Sequence, residues 1–335
     1  MANERWPVLV TRRLPQPAMD RIAEACDITL HEGEEAMPRD RLLAEIKGKP
    51  GAVTLLTDKV DDEFLDAAGP QLAIVANYAV GFDNIDIAAC TSHGVMCSNT
   101  PEVLTETTSD TAFALIMAAA RRIAEGDRFL RGKKGWIWGP MMMLGQDVHH
   151  KTLGILGFGR IGQALAQRGR GFGMKIIYHG VYRPPSEVEE EVGAEYRELD
   201  DLLAEADFIS IHVNLTEETR HLMNAERLRK MKPTAVLVNT SRGPVIDEAA
   251  LAEALREGVI FAAGLDVFEK EPEVHPELLE LDNVVVIPHL GSATVDTRIA
   301  MGMLAAENLI AGLEGRRPPT ILNPEVWEGR YGGKT

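Results

Sequence analysis

Residues 151–180 have the sequence "KTLGILGFGRIGQALAQRGRGFGMKIIYHG". An apolar run leads directly into Gly157-x-Gly159-x-x-Gly162, a helical run follows, and a second apolar run closes the stretch. A strand, a tight turn, a helix and a second strand within about 30 residues form the context in which this glycine pattern binds dinucleotides. Gly157 would permit the turn, Gly159 would let the backbone approach a pyrophosphate, and Gly162 would let the helix pack against the strand. The predicted cofactor contacts in this turn are Gly157, Phe158, Gly159, Arg160, Ile161 and Gly162.

The end of the second strand bears on which dinucleotide is bound. NAD sites usually carry an acidic residue about 20 residues after the glycines, where it accepts hydrogen bonds from the ribose 2′-OH. In "YHGVYRPPSE" no carboxylate appears before Glu187, and Gly180 or Val181 stands where the acid is expected. Arg183 follows and could bind a 2′-phosphate. The sequence therefore favours NADP(H) and leaves NAD(H) open.

Apolar runs and helical stretches alternate on both sides of this unit. Such alternation predicts parallel sheets covered by helices on both faces, that is, a doubly wound α/β class. A first series occupies about residues 1–98, a long helix is expected over 102–130, and a second series begins near 150. A last helix over 295–315 is expected to return to the first series. The predicted domains are therefore 1–100 with 291–335, and 101–290, with a cleft between them.

Length and composition exclude several classes of protein. The chain has 335 residues, enough for about two domains. Its formal charge of −16 repels nucleic-acid backbones. Its longest apolar stretch, around 111–120, is about half of what a bilayer span needs. Three cysteines form no disulfide or metal framework, and neither HExxH nor CxxC occurs, so we expect a cytoplasmic protein without metal, membrane or nucleic-acid partners.

Three more polar segments follow apolar strands of the second series. Arg242 lies in "VLVNTSRGPVID", Asp266 and Glu271 lie in "AAGLDVFEKEP", and His289 lies in "VVVIPHLGSAT". Each is expected at the carboxyl edge of a parallel sheet, where open α/β folds bind ligands. Reduction of a carbonyl by hydride needs a proton donor and a cation, which a histidine and an arginine can supply. Taken singly, each residue could equally belong to a turn or a surface ion pair.

The chain resembles the D-isomer-specific 2-hydroxyacid dehydrogenase family over nearly its full length. The segments that carry the resemblance are "NYAVGFDNIDIAAC", "TPEVLTETTSDTAFALIMAAARR", "KTLGILGFGRIG", "VNTSRGPVIDEAALAEAL", "GLDVFEKEP" and "NVVVIPHLGSAT". The resemblance implies a flavodoxin-like substrate domain and a Rossmann dinucleotide-binding domain. Within the family the chain is most similar to glyoxylate/hydroxypyruvate reductases.

The resemblance also implies residue roles. Arg242 would bind the 2-oxo acid, His289 would be the acid in reduction, and Glu271 would pair with His289. Asp266 would hold the nicotinamide carboxamide. The remaining implied contacts are the backbone N–H groups of Val80 and Gly81 with the substrate carboxylate, and Thr240, Ser241 and Gly291 with the nicotinamide end of the cofactor.

The family forms dimers through its dinucleotide-binding domain, so a homodimer is expected, with the segment Trp136–Met143 contributing to it. Two departures from the family pattern bear on specificity. Val181 stands where NADPH-preferring members often have arginine, and Asn214 stands where proline is common.

The leading hypothesis is NAD(P)H-dependent reduction of glyoxylate to glycolate and of hydroxypyruvate to D-glycerate. Other activities of the family, on D-lactate, 2-ketogluconate or phosphite, stay open. A second class of function also stays open, namely a non-catalytic protein that senses NAD(H) through the same fold.

Overall fold

The computed structural model describes residues 5–133 and 135–331. The chain folds into two compact units, one formed by Met1–Leu104 with Thr294–Thr335 and the other by Thr105–Ala293. The boundaries expected from the sequence stood after residues 100 and 290. Residues 1–4 and 332–335 of the first expected domain lie outside the described residues.

The strands of the described residues are β1 (Trp6–Val10), β2 (Cys26–Leu30), β3 (Gly51–Thr54), β4 (Ile74–Asn77), β5 (Met96–Ser98), β6 (Thr152–Leu156), β7 (Lys175–His179), β8 (Ala194–Tyr196), β9 (Phe208–Ile211), β10 (Val236–Asn239), β11 (Ala262–Leu265) and β12 (Val284–Val286). The helices are α1 (Gln16–Ala25), α2 (Arg39–Ile46), α3 (Asp62–Ala68), α4 (Ile87–Ser92), α5 (Thr105–Ala120), α6 (Ile123–Arg131), α7 (Arg160–Gly171), α8 (Ser186–Val192), α9 (Leu199–Glu205), α10 (Ala225–Leu228), α11 (Glu248–Arg256), α12 (Pro276–Glu280), α13 (Val295–Leu313) and α14 (Pro324–Tyr331).

The first unit contains a five-stranded parallel sheet in the order β2-β1-β3-β4-β5. This is the flavodoxin-like strand order. Helix α13 packs against α1 and against strands β3 and β4. The approach is close because α13 presents glycines to its neighbours: Gly302 lies over Ala18, and Gly312 lies over Ile74.

The second unit contains a seven-stranded parallel sheet in the order β12-β11-β10-β9-β6-β7-β8. Counted from β6, this is the Rossmann order with one further strand at the edge. Both faces are buried, since neighbouring residues of β6 contribute to different cores: Leu156 packs with Ile177 and Ile209, whereas Ile155 packs with Leu165 and Phe208. Burial on both faces explains the continuous apolar runs of these strands. The predicted fold class, two doubly wound parallel-sheet domains, is confirmed.

One element differs from the sequence-based expectation. The single helix expected over 102–130 is two helices, because Arg122 adopts a left-handed conformation with φ 52° between α5 and α6. The acidic helix α8 ends at Val192, where Gly193 (φ 61°) stops it and β8 begins. No described helix is both long enough and apolar enough to cross a membrane.

The packing of α13 generates a test of the first unit. A Cβ at position 312 would lie 2.5–3.0 Å from Ile74, including the Ile74 Cβ at 2.9 Å, which no side-chain rotation can move. We expect Gly312→Ala to lower the free energy of unfolding by about 1–3 kcal/mol, the usual cost of overpacking. The measurement is urea unfolding followed by circular dichroism. The matched control is Gly329→Ala in α14, where a Cβ meets no described atom within 4 Å and stability should be kept or slightly raised.

Candidate active site

The glycine turn between β6 and α7 has the geometry that the sequence predicted for it. Gly157 has φ 93°, and a Cβ there would lie 2.7 Å from the backbone of His212. A Cβ at Gly162 would lie 2.4 Å from the carbonyl oxygen of Gly157. At Gly159, by contrast, a Cβ would meet no described atom within 4 Å. Two glycines are therefore required by the protein's own packing, while the third leaves open space at the start of a helix.

The first turn of α7 has backbone N–H groups beside this open space. Gly159 is the N-cap and supplies no side-chain acceptor, and Arg160 and Ile161 form the first turn of the helix. Phe158 is buried and stacks on Tyr178, with ring centroids 4.2 Å apart. The N–H groups of a first helical turn and the positive end of a helix dipole are what a pyrophosphate needs, so these residues fit a dinucleotide.

The end of β7 carries the residues expected near the adenosine ribose. A side chain at Gly180 would meet other atoms only at 3.7 Å or more, and Val181 is fully exposed. The guanidinium of Arg183 lies 3.9 Å from the ring centroid of Tyr196, a cation–π contact. A surface pocket of about 550 Å³ lies at this end of the strand. It is lined by Gly180, Val181, Arg183, Tyr196, Arg197, Glu198 and Asp201.

His289 and Glu271 meet, as the resemblance implied. Nδ1 of His289 lies 2.9 Å from Oε2 of Glu271, and the other carboxylate oxygen accepts a hydrogen bond from the N–H of Phe268 at 3.1 Å. Burial acts to raise the pKa of Glu271, but the hydrogen bond and charge of His289, the Phe268 N–H and the charge of Arg242 together hold that pKa below its usual value. Glu271 is thus an anion at neutral pH, and the Nε2 side of the histidine ring is turned away from it.

Asp266 shapes the turn that carries His289. Its two carboxylate oxygens accept hydrogen bonds from the backbone N–H groups of Leu290 and Gly291, the latter at 2.8 Å. Its backbone carbonyl accepts from the N–H of His289 at 2.9 Å. His289 itself has φ 52°, a left-handed conformation that is uncommon for residues other than glycine. Burial raises the pKa of Asp266, although the two N–H donors and the nearby His289 act to lower it.

Gly291 lies close to helix α5 as well as to Asp266. A Cβ at Gly291 would be 2.9 Å from Oδ2 of Asp266 and 3.5 Å from Thr108. The carbonyl of Gly291 accepts a hydrogen bond from the Thr111 hydroxyl at 3.4 Å. A side chain at this position would displace the carboxylate that holds the turn.

Arg242 begins a short 3₁₀ helix, Gly243–Val245, just beyond β10. Asn239, the last residue of β10, is buried and holds the turn from both sides. Its Oδ1 accepts from the N–H and the hydroxyl of Ser241, at 3.0 and 2.9 Å, and its Nδ2 donates to the carbonyl of Arg242 at 2.9 Å. Thr240, between them, has a buried hydroxyl with no hydrogen-bond partner among the described residues. Such an atom is available to a ligand.

Sequence reasoning missed three residues that support this arrangement. Asn239 is one. Gly243 is another, since a Cβ there would lie 1.8 Å from the carbonyl carbon of Phe268. The third is Glu248, a buried carboxylate on α11 that accepts from the N–H of Glu269 at 2.6 Å and whose pKa is raised by burial. Only the asparagine left a signal, because a polar residue ending an apolar strand is a common loop support.

The other predicted substrate contacts belong to the first unit. Val80 and Gly81 lie in the loop that follows β4, and both are partly exposed. Their carbonyl oxygens accept hydrogen bonds from the side chains of Asn99 and Asn77. Five of the predicted site residues therefore lie in neighbouring loops of the second unit: Arg242, Asp266, Glu271, His289 and Gly291. Val80 and Gly81 lie in the first unit, beyond the carboxyl end of β4.

A protein-family model matches the second unit of the chain. The family described as D-isomer specific 2-hydroxyacid dehydrogenase, NAD binding domain, matches residues 113–291. A curated glyoxylate reductase of Thermococcus onnurineus is 51% identical over 330 residues, which cover 97% of this chain and 98% of that relative.

Solved structures agree with the sequence comparison. The crystal structure of a glyoxylate reductase from Paecilomyes thermophila superposes with a TM-score of 0.85 at 32% identity, covering 96% of this chain and 99% of that one. An NADPH-dependent glyoxylate/hydroxypyruvate reductase of Sinorhizobium meliloti, solved with NADP and malonate, has a TM-score of 0.81 at 32% identity, covering 95% and 97%.

The glycine turn allows ligand binding and folding to be separated. Because a Cβ at Gly159 meets no described atom and the residue is extended (φ −77°), Gly159→Ala should leave the melting temperature unchanged. The same methyl would occupy the space that a pyrophosphate needs, so we expect the Kd for NADPH to rise about tenfold or more. Tryptophan fluorescence quenching measures the Kd.

The contrasting variant is Gly162→Ala, which should lower both the melting temperature and the affinity, since its methyl collides with the protein itself. An unchanged Kd in Gly159→Ala would place the pyrophosphate elsewhere.

Proposed function

The chain belongs to the D-isomer specific 2-hydroxyacid dehydrogenase family, and we propose that it reduces glyoxylate to glycolate and hydroxypyruvate to D-glycerate with NADPH. Reduction of small 2-oxo acids by a nicotinamide dinucleotide follows from the family and from the glyoxylate reductases to which the chain is similar. The observation that carries the proposal is the hydrogen bond between His289 and Glu271 on neighbouring loops of the dinucleotide-binding sheet.

His289 is the proton donor in this proposal. The ionised Glu271 occupies Nδ1, so Nε2 is the ring nitrogen that gives a proton to the oxygen of the carbonyl being reduced. The carboxylate beside Nδ1 fixes the orientation of the ring. Asp266 contributes by fixing the backbone turn on which His289 stands.

Two sets of donors bind the acid itself. Arg242 binds the 2-oxo acid as a cation, and its guanidinium charge also stabilises the negative charge that develops on the carbonyl oxygen. The backbone N–H groups of Val80 and Gly81 receive the carboxylate. Asn239 holds the Arg242 turn, and Gly243 lets that turn lie against the Phe268 backbone.

The cofactor is held by the second unit. The bound nicotinamide supplies the hydride. Thr240 offers an unpaired buried hydroxyl at the end of β10, and Ser241, Asp266 and Gly291 lie on the adjoining loops. These are the residues that we assign to the nicotinamide end, whereas the turn from Gly157 to Gly162 holds the pyrophosphate.

The preference for NADPH is argued from the end of β7. Gly180 places no carboxylate beside the ribose, so nothing there repels a 2′-phosphate, and Arg183 carries a positive charge at the same pocket. The similar Sinorhizobium meliloti enzyme is described as NADPH-dependent. Glu198 and Asp201 line the pocket as well, and their charges would moderate the preference. Use of NADH at a lower rate is therefore part of the proposal.

We also infer a homodimer in the cytoplasm. Trp136, Ile137, Trp138 and Met141 are largely exposed, and such an apolar stretch is typical of a protein interface. The three cysteines are buried free thiols, the state that a reducing compartment maintains. The first unit is the substrate domain and the second the cofactor domain.

The function is tested by oxidation of NADPH and NADH with glyoxylate, hydroxypyruvate and pyruvate in parallel. We expect kcat/KM to be highest for the first two acids with NADPH and lower with NADH. His289→Asn should lower kcat by about 10²–10⁴-fold while NADPH still binds. Slow turnover of all three acids would overturn the substrate assignment, and cofactor binding without any turnover would favour a sensor.

The pairing of Glu271 with His289 predicts a loss of activity when the carboxylate charge is removed. Because the pKa of Glu271 is lowered in the folded protein, its negative charge is present throughout the neutral range and disappears only in acid. Glu271→Gln keeps the size of the side chain and removes the charge beside Nδ1 of His289. We expect kcat/KM for glyoxylate reduction at neutral pH to fall about tenfold or more, the usual effect of losing one charged hydrogen-bond partner.

The control for this measurement is Glu269→Gln, a carboxylate of the same loop that pairs with His221 instead. Its kcat/KM for glyoxylate should stay at the wild-type value. A Glu271→Gln variant with the wild-type kcat/KM would remove Glu271 from this role.

A further inference from the structure

The loop after β4 is held by its carbonyl groups. Three consecutive carbonyl oxygens accept hydrogen bonds from the protein: that of Ala79 from the N–H of Thr100 at 2.7 Å, that of Val80 from Nδ2 of Asn99 at 2.7 Å, and that of Gly81 from Nδ2 of Asn77 at 3.2 Å. The donors come from the ends of β4 and β5, the two neighbouring strands that flank the loop.

Fixing a carbonyl fixes the N–H of the next residue as well. In a planar trans peptide the C=O and the following N–H lie on opposite sides of the chain. Since the carbonyls of residues 79–81 face Asn77 and the residues Asn99 and Thr100, the N–H groups of Val80, Gly81 and Phe82 face away from them. No acceptor within residues 5–133 and 135–331 takes a hydrogen bond from these three N–H groups. The loop thus presents three successive free donors, an arrangement suited to an anion.

The two asparagines are themselves immobilised. Asn77 is 1% and Asn99 is 7% exposed. Oδ1 of Asn77 accepts from the hydroxyl of Thr54 at 3.1 Å and from Nδ2 of Asn84 at 3.3 Å. Because a hydroxyl donates to that oxygen, Nδ2 is the donating atom of the amide, and it donates both to Oδ1 of Asn84 and to the Gly81 carbonyl, each at 3.2 Å.

Asn99 is held from the C-terminal part of the chain. Its backbone carbonyl accepts from the hydroxyl of Thr320 at 2.6 Å and from Nδ2 of Asn308 at 3.3 Å. Asn308 is fully buried in α13, and its Oδ1 accepts from the N–H of Thr320 at 3.0 Å. A chain of hydrogen bonds therefore runs from α13 through Asn99 to the carbonyl of Val80.

We propose that Asn77 and Asn99 are positioning residues that preset the N–H groups of Val80, Gly81 and Phe82 to bind the carboxylate of the 2-oxo acid. The inference rests on the proposed function and adds to it the N–H of Phe82 as a third donor. Donors that are already oriented require no ordering when the acid binds. The asparagines touch neither substrate nor cofactor and act only through the loop.

This role predicts a particular kinetic signature. The carboxylate does not react, so its hydrogen bonds are equally strong in the bound substrate and in the transition state. Losing them removes uniform binding, which raises KM and leaves kcat nearly unchanged. The effect should be the same for every acid that carries this carboxylate.

The experiment is steady-state reduction of glyoxylate and hydroxypyruvate by Asn99→Ala. We expect KM for both acids to rise about tenfold, by the same factor, since one anchoring hydrogen bond of the loop is lost. The kcat should stay within about threefold of wild type, and KM for NADPH should not change. Asn99→Ser should show the same pattern, because the serine hydroxyl is too short to reach the Val80 carbonyl. It replaces Asn99→Ala in the experiment if the alanine variant fails to fold.

Asn323→Ala is the matched control. Asn323 is equally buried and also bonds to β5, accepting from the N–H of Cys97 at 2.9 Å and donating to the carbonyl of Val95 at 2.9 Å, but it makes no bond to the loop. It should lose stability while KM for both acids is kept.

The outcomes separate the two proposals. If the wild-type enzyme reduces neither acid, the proposed function fails, and this inference fails with it. If the wild-type enzyme is active, three results would show that the positioning role is wrong while the proposed function stands. The Asn99 variants could keep the wild-type KM for the acids, or they could lose kcat instead. Asn323→Ala could also raise KM for the acids as much as the Asn99 variants do.

Discussion

Short polar side chains at the ends of parallel strands hold the loops that carry the proposed site residues. Asn77 ends β4 and donates to the Gly81 carbonyl. Asn239 ends β10 and forms hydrogen bonds with both Ser241 and Arg242. Asp266 follows β11 and accepts hydrogen bonds from the N–H groups of Leu290 and Gly291. In each case the side chain is buried, so an unmade hydrogen bond would cost more than in water. The loop is consequently confined to the one conformation that satisfies the buried group. An unsatisfied buried polar group would destabilise the fold. In these three loops the buried groups are satisfied, and their hydrogen bonds determine where the site residues lie.

The same arrangement explains why an unfavourable backbone conformation is tolerated at His289. Its positive φ is held by hydrogen bonds on both sides, from its own N–H to the Asp266 carbonyl and from the two following N–H groups to the Asp266 carboxylate. Strain of this kind persists only where the surroundings over-determine the conformation. The imidazole is then aligned with Glu271 by the backbone as well as by the hydrogen bond between them, which reduces the freedom that a general acid would otherwise lose on each turnover.

Much of this was accessible from the sequence, and what was missed has physical causes. The glycine turn between β6 and α7 followed from local pattern, because apolar runs and glycines act within a few residues. Strands β2, β5 and β8 leave little signal in the sequence: β5 and β8 are only three residues long, and β2, "CDITL", mixes polar and apolar residues at a sheet edge. The break at Arg122 carries no glycine or proline to signal it. Arg242, Glu271 and His289 could be located at strand ends, whereas Glu248 and Gly243 act on loops far away in sequence, and only the folded chain shows those partners.

A chain with a net charge of −16 must still bind an anionic acid and an anionic dinucleotide under our proposal. Charges on the far surface matter little at physiological salt, where screening acts over about 8 Å. Local donors matter more, and here they are mainly backbone N–H groups: the first turn of α7 beyond Gly159, and the loop N–H groups of Val80, Gly81 and Phe82. Backbone donors add no net charge, so the protein can bind anions without a basic surface that would attract nucleic acids. Arginine is then needed only where a full positive charge is required, at the substrate through Arg242 and at the ribose pocket through Arg183.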